Sequence, residues 1–410
     1  MDTVSTLLTR IIQRQRQGLP PPSGPSVLDD GRVATAAIGS ILDNKQHPDC
    51  AAETLSDLRM SAETVSDLRM WNQILARYRQ PSRARSALEL VITVVPLVLL
   101  WVLMWATLSF GYWLCLLLAV PAAGFLVRLF MIQHDCGHGA FFRHRLANDW
   151  VGRAIGILTL TPYDFWRRTH AIHHANSGNL ARRGIGDIKT LTVREYLALS
   201  RWGRLQYRLY RHPIIMFGVG PAYLFILQQR LPLGLLRGGW QPWFSAMATN
   251  AAIATLVAIM IWFVGVGPFL LVHLPITLLA ASIGVWLFYV QHQFEDAYWQ
   301  RAEGWSYADA ALQGSSYLRL PKVLQFFTGR IGLHHLHHLN ARIPNYNLQR
   351  AHDDNPTFHD VPTLSLWDGV RAVRLKLWDE DRSRLVTFAQ ARGGSKRSPG
   401  GSRTTTIAAR

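Results

Sequence analysis

Long apolar runs separated by short gaps lay out this chain. Residues 87–109, 112–132, 243–263 and 268–290 are each apolar enough and long enough to cross a bilayer as a helix, since about 20 residues rising 1.5 Å each cover ~30 Å of hydrocarbon. Pro96 lies inside the first run, a position that membrane helices tolerate. Only Phe110 and Gly111 separate the first two runs, which predicts a tight helical hairpin, and the last two predict a second. Residues 214–227 are also apolar but contain two glycines and a proline. As a helix they would reach only about 21 Å, so the pattern predicts an interfacial or partly buried segment rather than a span. Arg128, near the end of the second run, is expected to snorkel to the interface.

The flanks differ in character. Residues 1–85 predict a peripheral N-terminal cytoplasmic extension. It holds a proline-rich linker from Leu19 to Pro25 and a tandem repeat, Ala52-Glu-Thr-Leu-Ser-Asp-Leu-Arg-Met60 followed by Ala62-Glu-Thr-Val-Ser-Asp-Leu-Arg-Met70. The ten-residue offset turns the copies about 80° apart on a helix, which reads as a tandem duplication in an exposed helix rather than a solenoid. Arg77, Arg79, Arg83 and Arg85 form a basic collar before the first span. Residues 86–390 hold the main domain, and 391–410, rich in Gly, Ser, Arg and Thr, read as a disordered tail. No secretory leader is expected, because residues 1–17 carry arginines and lack an apolar core.

Composition agrees with a membrane protein: 49% of the 410 residues are hydrophobic and the formal charge is +17. The basic residues flank apolar runs and no nucleic-acid motif accompanies them, so a membrane rather than a nucleic acid is the expected partner. Three scattered cysteines, Cys50, Cys115 and Cys136, support neither a disulfide framework nor a thiolate metal site. With four spans and the collar inside, 133–242 and everything beyond His292 fall on the cytoplasmic face, while the loops at Gly111 and Gly267 are short and uncharged.

That face carries nearly all the candidate chemistry. His134 and His138 are spaced i, i+4. His170, His173 and His174 follow an H-x-x-H-H spacing, and His334, His337 and His338 repeat it. On a helix such positions share one face. His292 stands at the exit of the last span, His335 lies at the edge of its own helical face, and His273 sits near the opposite end of its span, where a structural role is expected. Nine imidazoles exceed what one metal can take and suit two first-row ions with four or five ligands each. Mg or Ca would draw carboxylates, and structural zinc usually draws cysteine. Nitrogen-rich paired sites suit iron handling O2, and copper shares the ligand preference. Asp135, Asp187, Glu295 and Asp296 are candidates to orient ligating histidines.

These stretches resemble the membrane fatty acid desaturase family with three histidine boxes, and most closely its bacterial and plastid-type Δ12 (omega-6) acyl-lipid members. The resemblance rests on His134-Asp-Cys-Gly-His-Gly-Ala-Phe-Phe142, His170-Ala-Ile-His-His174, Arg183-Gly-Ile-Gly-Asp187, Gln291-His-Gln-Phe-Glu-Asp296 and His334-His-Leu-His-His-Leu339 with Ile343-Pro-Asn-Tyr-Asn347. It implies an all-α integral membrane fold, with four transmembrane helices in two hairpins and a cytoplasmic helical cap holding a di-metal site. It implies two non-haem Fe2+ ions held by His134, His138, His170, His173, His174, His334, His337 and His338, with His292 as an additional ligand. Asp135, Asp187, Glu295, Asp296 and His335 are the outer candidates. Some relatives place an asparagine just upstream of the last-span histidine; here that turn is Phe288-Tyr289. The implied reaction uses O2 to insert a cis double bond into a long-chain acyl lipid, with electrons from an external ferredoxin or cytochrome b5. The implied location is a bacterial inner membrane with both termini cytoplasmic.

Overall fold

The structure is a computed structural model, and it describes residues 62–394. The proline-rich linker, the first repeat copy, Cys50 and residues 395–410 lie outside the described residues. The second repeat copy opens helix α1 (Ala62–Ala76). Ser82 then caps α2 (Arg83–Thr107) by accepting a hydrogen bond from the Arg85 backbone N–H. Helices α3 (Tyr112–Gly137), α4 (Arg145–Leu158) and α5 (Tyr163–Asn176) follow. After β1 (Leu191–Thr192) come α6 (Val193–Ala198), started by a Thr192–Glu195 capping box, and α7 (Arg201–Tyr210). Two more long helices, α8 (Trp240–Val264) and α9 (Val266–His292), lead into a C-terminal region of short elements.

Helices α2, α3, α8 and α9 are long and apolar enough to cross a membrane. The segment Ile215–Leu227 is a string of short π and α turns and is not among the candidate spans. Helix α3 is the central one. Cys115, Ala119, Ala122, Ala123, Leu129 and Ile132 are buried along it, and its small side chains allow neighbouring backbones to approach closely. By contrast, Val98, Leu99, Leu117, Trp262 and Phe263 point outward, as on a lipid-facing surface. Both α3 and α9 run past the expected ends of their spans, to Gly137 and His292. Their last turns are packed inside protein, where helix can continue after the apolar run ends. His273, near the other end of α9, stacks on Phe269 with ring centroids 5.1 Å apart.

Arg128 does not snorkel. It is 2% exposed, and its guanidinium pairs with the fully buried Glu89 of α2. It also donates to Thr93 Oγ1 at 3.0 Å and to the Phe326 carbonyl. An acid on the neighbouring helix, which also pairs with Arg85 at 2.8 Å, holds the charge inside.

The C-terminal region contains α10 (Tyr307–Leu312), β2 (Tyr317–Arg319), α11 (Lys322–Phe327), α12 (His334–Leu339), α13 (Asn345–Asp353), β3 (Thr363–Ser365), α14 (Leu366–Ala372), β4 (Leu377–Asp379), β5 (Arg384–Val386) and α15 (Phe388–Gly394). β1 pairs in parallel with β4, which pairs antiparallel with β5; β2 and β3 pair in parallel. Where an all-α fold is expected, the described residues are thus mostly helical with five short strands. These strands pin segments remote in sequence: Leu191 lies opposite Leu377, and Tyr317 opposite Thr363.

Two boundaries differ from expectation. Leu75 and Tyr78, assigned to the peripheral extension, are buried against Leu333, Leu336, Leu339, Ile343 and Phe358. At the other end, residues 391–394 continue α15, and Ala391 is buried among Tyr196, Tyr207, Leu377 and Val386. In both cases apolar side chains inside polar sequence anchor the segment.

Candidate metal centre

Four elements deliver the histidines. His134 sits in the last turn of α3 and His138 caps it. His170, His173 and His174 line one side of α5, His292 closes α9, and His334, His337 and His338 come from α12. The entry to α12 is held tightly: Leu318 N–H donates to the Gly332 carbonyl at 2.8 Å. A Cβ at Gly332 would lie 2.4 Å from the Leu318 carbonyl oxygen, so the close approach of β2 requires glycine.

The imidazoles gather into two groups. His134, His138, His170, His174 and His337 form one; His173, His292, His334 and His338 form the other, and the ligand atoms within each group lie within 4.8 Å of one another. The groups touch, with His174 and His338 stacked at 4.1 Å. In the first group the Nε2 atom of His174 lies 3.1 Å from those of both His170 and His337. In the second, His292 Nε2 lies 3.1 Å from His173 Nε2 and 2.9 Å from His334 Nε2.

Those separations carry information about protons. His173 Nδ1 faces Asp187 Oδ1 at 2.5 Å, and His292 Nδ1 faces the Gly314 carbonyl at 3.1 Å. Both partners only accept, so each Nδ1 carries a proton and each ring turns its Nε2 into the cluster. The Nε2 atoms of His173, His292 and His334 thus converge at 3.1 Å and 2.9 Å, a crowding that a shared cation would accommodate. Two nitrogens bound at right angles to one ion, each at about 2.1 Å, would stand about 3.0 Å apart. His138 Nε2 and His338 Nε2 are buried without a hydrogen-bond partner, and each such orphan costs about 1–3 kcal/mol unless something meets it. Burial, reinforced by neighbouring imidazoles, also pushes His138, His170, His174, His334, His337 and His338 well below the usual histidine range. They are neutral near pH 7 and free to donate lone pairs. The residues fit two nitrogen-loving metal ions.

Among the outer candidates, Asp187 meets a centre histidine directly. Gly186, at φ +75°, lets its loop pass over α5: a Cβ there would lie 2.8 Å from the Thr169 carbonyl and 3.1 Å from His173 Cβ. Asp135 is buried and its Oδ2 accepts the Asn345 backbone N–H at 2.7 Å, tying the end of α3 to the start of α13. Glu295 is exposed and pairs with Arg384, and Asp296 is exposed as well. His335 is fully buried but belongs to neither group, with its ring 5.6 Å from His352 and 6.1 Å from Tyr317.

Several contacts were not anticipated. Trp166 stacks on His170 at 4.7 Å, and Phe288 packs 5.0 Å from His173 and 5.5 Å from His292. Trp166 stands four residues before His170, a spacing that brings it over the same ring. The Gly314 carbonyl has no such signal, because any residue offers one.

Four helices long and apolar enough to cross a membrane, with two adjoining clusters of imidazoles that could hold metal ions, are the marks of a membrane metalloprotein. The sequence matches the family described as Fatty acid desaturase over residues 110–364. It is 46% identical over 314 residues to a fatty acid desaturase of Bacillus subtilis, covering 77% of this chain and 89% of that one. Two Synechocystis proteins are more distant. An sn-1 acyl-lipid omega-3 desaturase (ferredoxin) is 30% identical over 54% of this chain and 62% of its own length. An sn-1 oleoyl-lipid 12-desaturase is 26% identical over 55% of this chain and 64% of its own length. The chain belongs to the fatty acid desaturase family and is an enzyme of that class.

Proposed function

We propose that this protein inserts a cis double bond into an acyl chain of a membrane lipid, using O2 and two non-haem Fe2+ ions held by His134, His138, His170, His173, His174, His292, His334, His337 and His338. The observation that carries the reading is the gathering of nine imidazoles into two adjoining groups, the ligand atoms of each within 4.8 Å of one another. When bound, the iron pair supplies O2 activation and removal of hydrogen from an unactivated C–H bond. The chain's own residues hold and orient that centre. Asp187 and the Gly314 carbonyl fix the tautomers of His173 and His292, and Asp135 ties the first histidine helix to the segment after the last. Trp166 and Phe288 cover the imidazoles with apolar rings and keep bulk water from them.

In this reading the four spans form two hairpins capped on the cytoplasmic side by the helices that bear the histidines, with both termini cytoplasmic in a bacterial inner membrane. Electrons come from a small external carrier, a ferredoxin or cytochrome b5, drawn to the basic face. The substrate is an oleoyl lipid desaturated between carbons 12 and 13; the oleoyl-lipid 12-desaturase relatives support this choice. The omega-3 relatives, at 28% and 30% identity, support a second carbon pair nearer the methyl end. Expression in a host that makes monounsaturated but no diunsaturated lipid separates them. Gas chromatography should show linoleate with its new bond at carbon 12. A new bond at another position keeps the chemistry and overturns the regiochemistry, and hydroxylated chains overturn desaturation.

A further inference from the structure

Helix α7 is built for an interface. Trp202, Leu205 and Leu209 are exposed along one stripe, while Arg201, Arg204 and Arg208 follow a second stripe about 100° around the helix. Exposed Ile214 and Val219 follow at once. Beside this helix, between it and α15, lies a cavity of about 420 Å³ lined by Arg208, Arg211, His212, Lys376, Phe388 and Arg392. A second cavity of about 340 Å³ shares Arg208 and Arg392 and adds Arg201 and Arg204. Among the described residues no aspartate or glutamate lines either cavity.

The depth of this pocket is fixed by its floor. Fully buried Arg211 donates to Tyr289 Oη at 3.1 Å and to Gln293 Oε1 at 2.9 Å, so it sits level with the last turn of spanning helix α9. Lys376 Nζ stands 5.9 Å from the Tyr289 ring centroid. Lys376 is 6% exposed, and its ammonium has no hydrogen-bond partner. Burial and the neighbouring Arg211 push it down to about 7. A buried amine crowded by Arg208, Arg211 and Arg392, with no carboxylate lining the pocket, keeps its proton best when an anion sits beside it.

We propose that this pocket binds the phosphate of an anionic membrane phospholipid, whose acyl chains lie along the exposed apolar stripe of α7. A free phosphate ion would satisfy the cations but leave Trp202, Leu205 and Leu209 uncovered; an anionic lipid meets both demands. The site is separate from the imidazole cluster, and its occupancy does not depend on which carbons the enzyme oxidises.

The test uses the full-length, metal-loaded protein in nanodiscs, with lipid retention read by native mass spectrometry. Phosphatidylglycerol should be retained in preference to phosphatidylcholine. Each basic group near an anionic surface contributes about fivefold, so Lys376→Gln/Arg392→Gln should reduce phosphatidylglycerol retention about 25-fold. Arg392 is exposed, so Arg392→Gln alone should fold and lose about fivefold. Millimolar inorganic phosphate should not displace the lipid. Unchanged retention in the double variant or in Arg392→Gln, or equal retention of the two lipids, overturns the proposal. Displacement by inorganic phosphate reassigns the pocket to a soluble anion and overturns the lipid.

Discussion

Asp187 decides which nitrogen His173 turns toward the other imidazoles. Its carboxylate can only accept, so Nδ1 carries a proton and Nε2 is the atom turned to the cluster. Asparagine at this position could equally donate, and the ring would lose its fixed tautomer. Asp187→Asn should therefore lower metal retention by about 10–100-fold, the usual cost of removing such a partner, measured as iron per protein after dialysis against a chelator. Glu295→Gln, at a surface carboxylate paired with Arg384, should retain iron like the parent. Sequence could nominate both acids but could not separate them. Each stands near a histidine motif, and only the path of the loop through Gly186 brings one of them to a ring.

At the level of elements, the histidine helices were legible because metal binding demands several imidazoles on one face, and that spacing is visible in one dimension. The role of α1 was not. It precedes the first span by a basic, polar stretch, and its apolar residues are too few to announce a buried face. Yet Leu75 is fully buried against Leu336 and Leu339 of α12, and Asn72 Oδ1 accepts a hydrogen bond from Asn340 at 3.0 Å. α1 thus backs the helix that supplies ligands to both imidazole groups. Leu75→Ala should cost about 2–5 kcal/mol, seen as a lower thermal midpoint in detergent. The metal content should fall with it, because α12 loses its backing. A variant with the parent's midpoint and iron content would show that α1 is not part of the support.

For the whole molecule, the four long apolar helices were plain from hydropathy, whereas the tie between the first two was hidden by Glu89, a single acid at the edge of an apolar run. Arg128→Met leaves Glu89 buried without its main partner and should destabilise by about 3–5 kcal/mol. Arg128→Met combined with Glu89→Leu removes both charges and should recover much of that loss in a thermal unfolding series. The proposed topology has its own check. Cysteine labels near 185–205 and 345–360 should react from the same side, and labels beside Gly111 and Gly267 from the other. Labelling of the first two regions from opposite sides would break the shared imidazole site.

Both imidazole groups draw on α12: His337 joins one, while His334 and His338 join the other. Helix α12 begins 42 residues after His292, the last residue of the final candidate span. During synthesis, all four long apolar helices emerge before either group can be completed. A ribosome stalled before residue 334 leaves a chain with every span and no finished metal pocket. In the proposed reading, insertion of these helices thus precedes iron loading, which is a late event that fastens the end of the chain to them. The proposed iron dependence then predicts that a cell short of iron accumulates inserted, inactive enzyme that later iron activates without new translation.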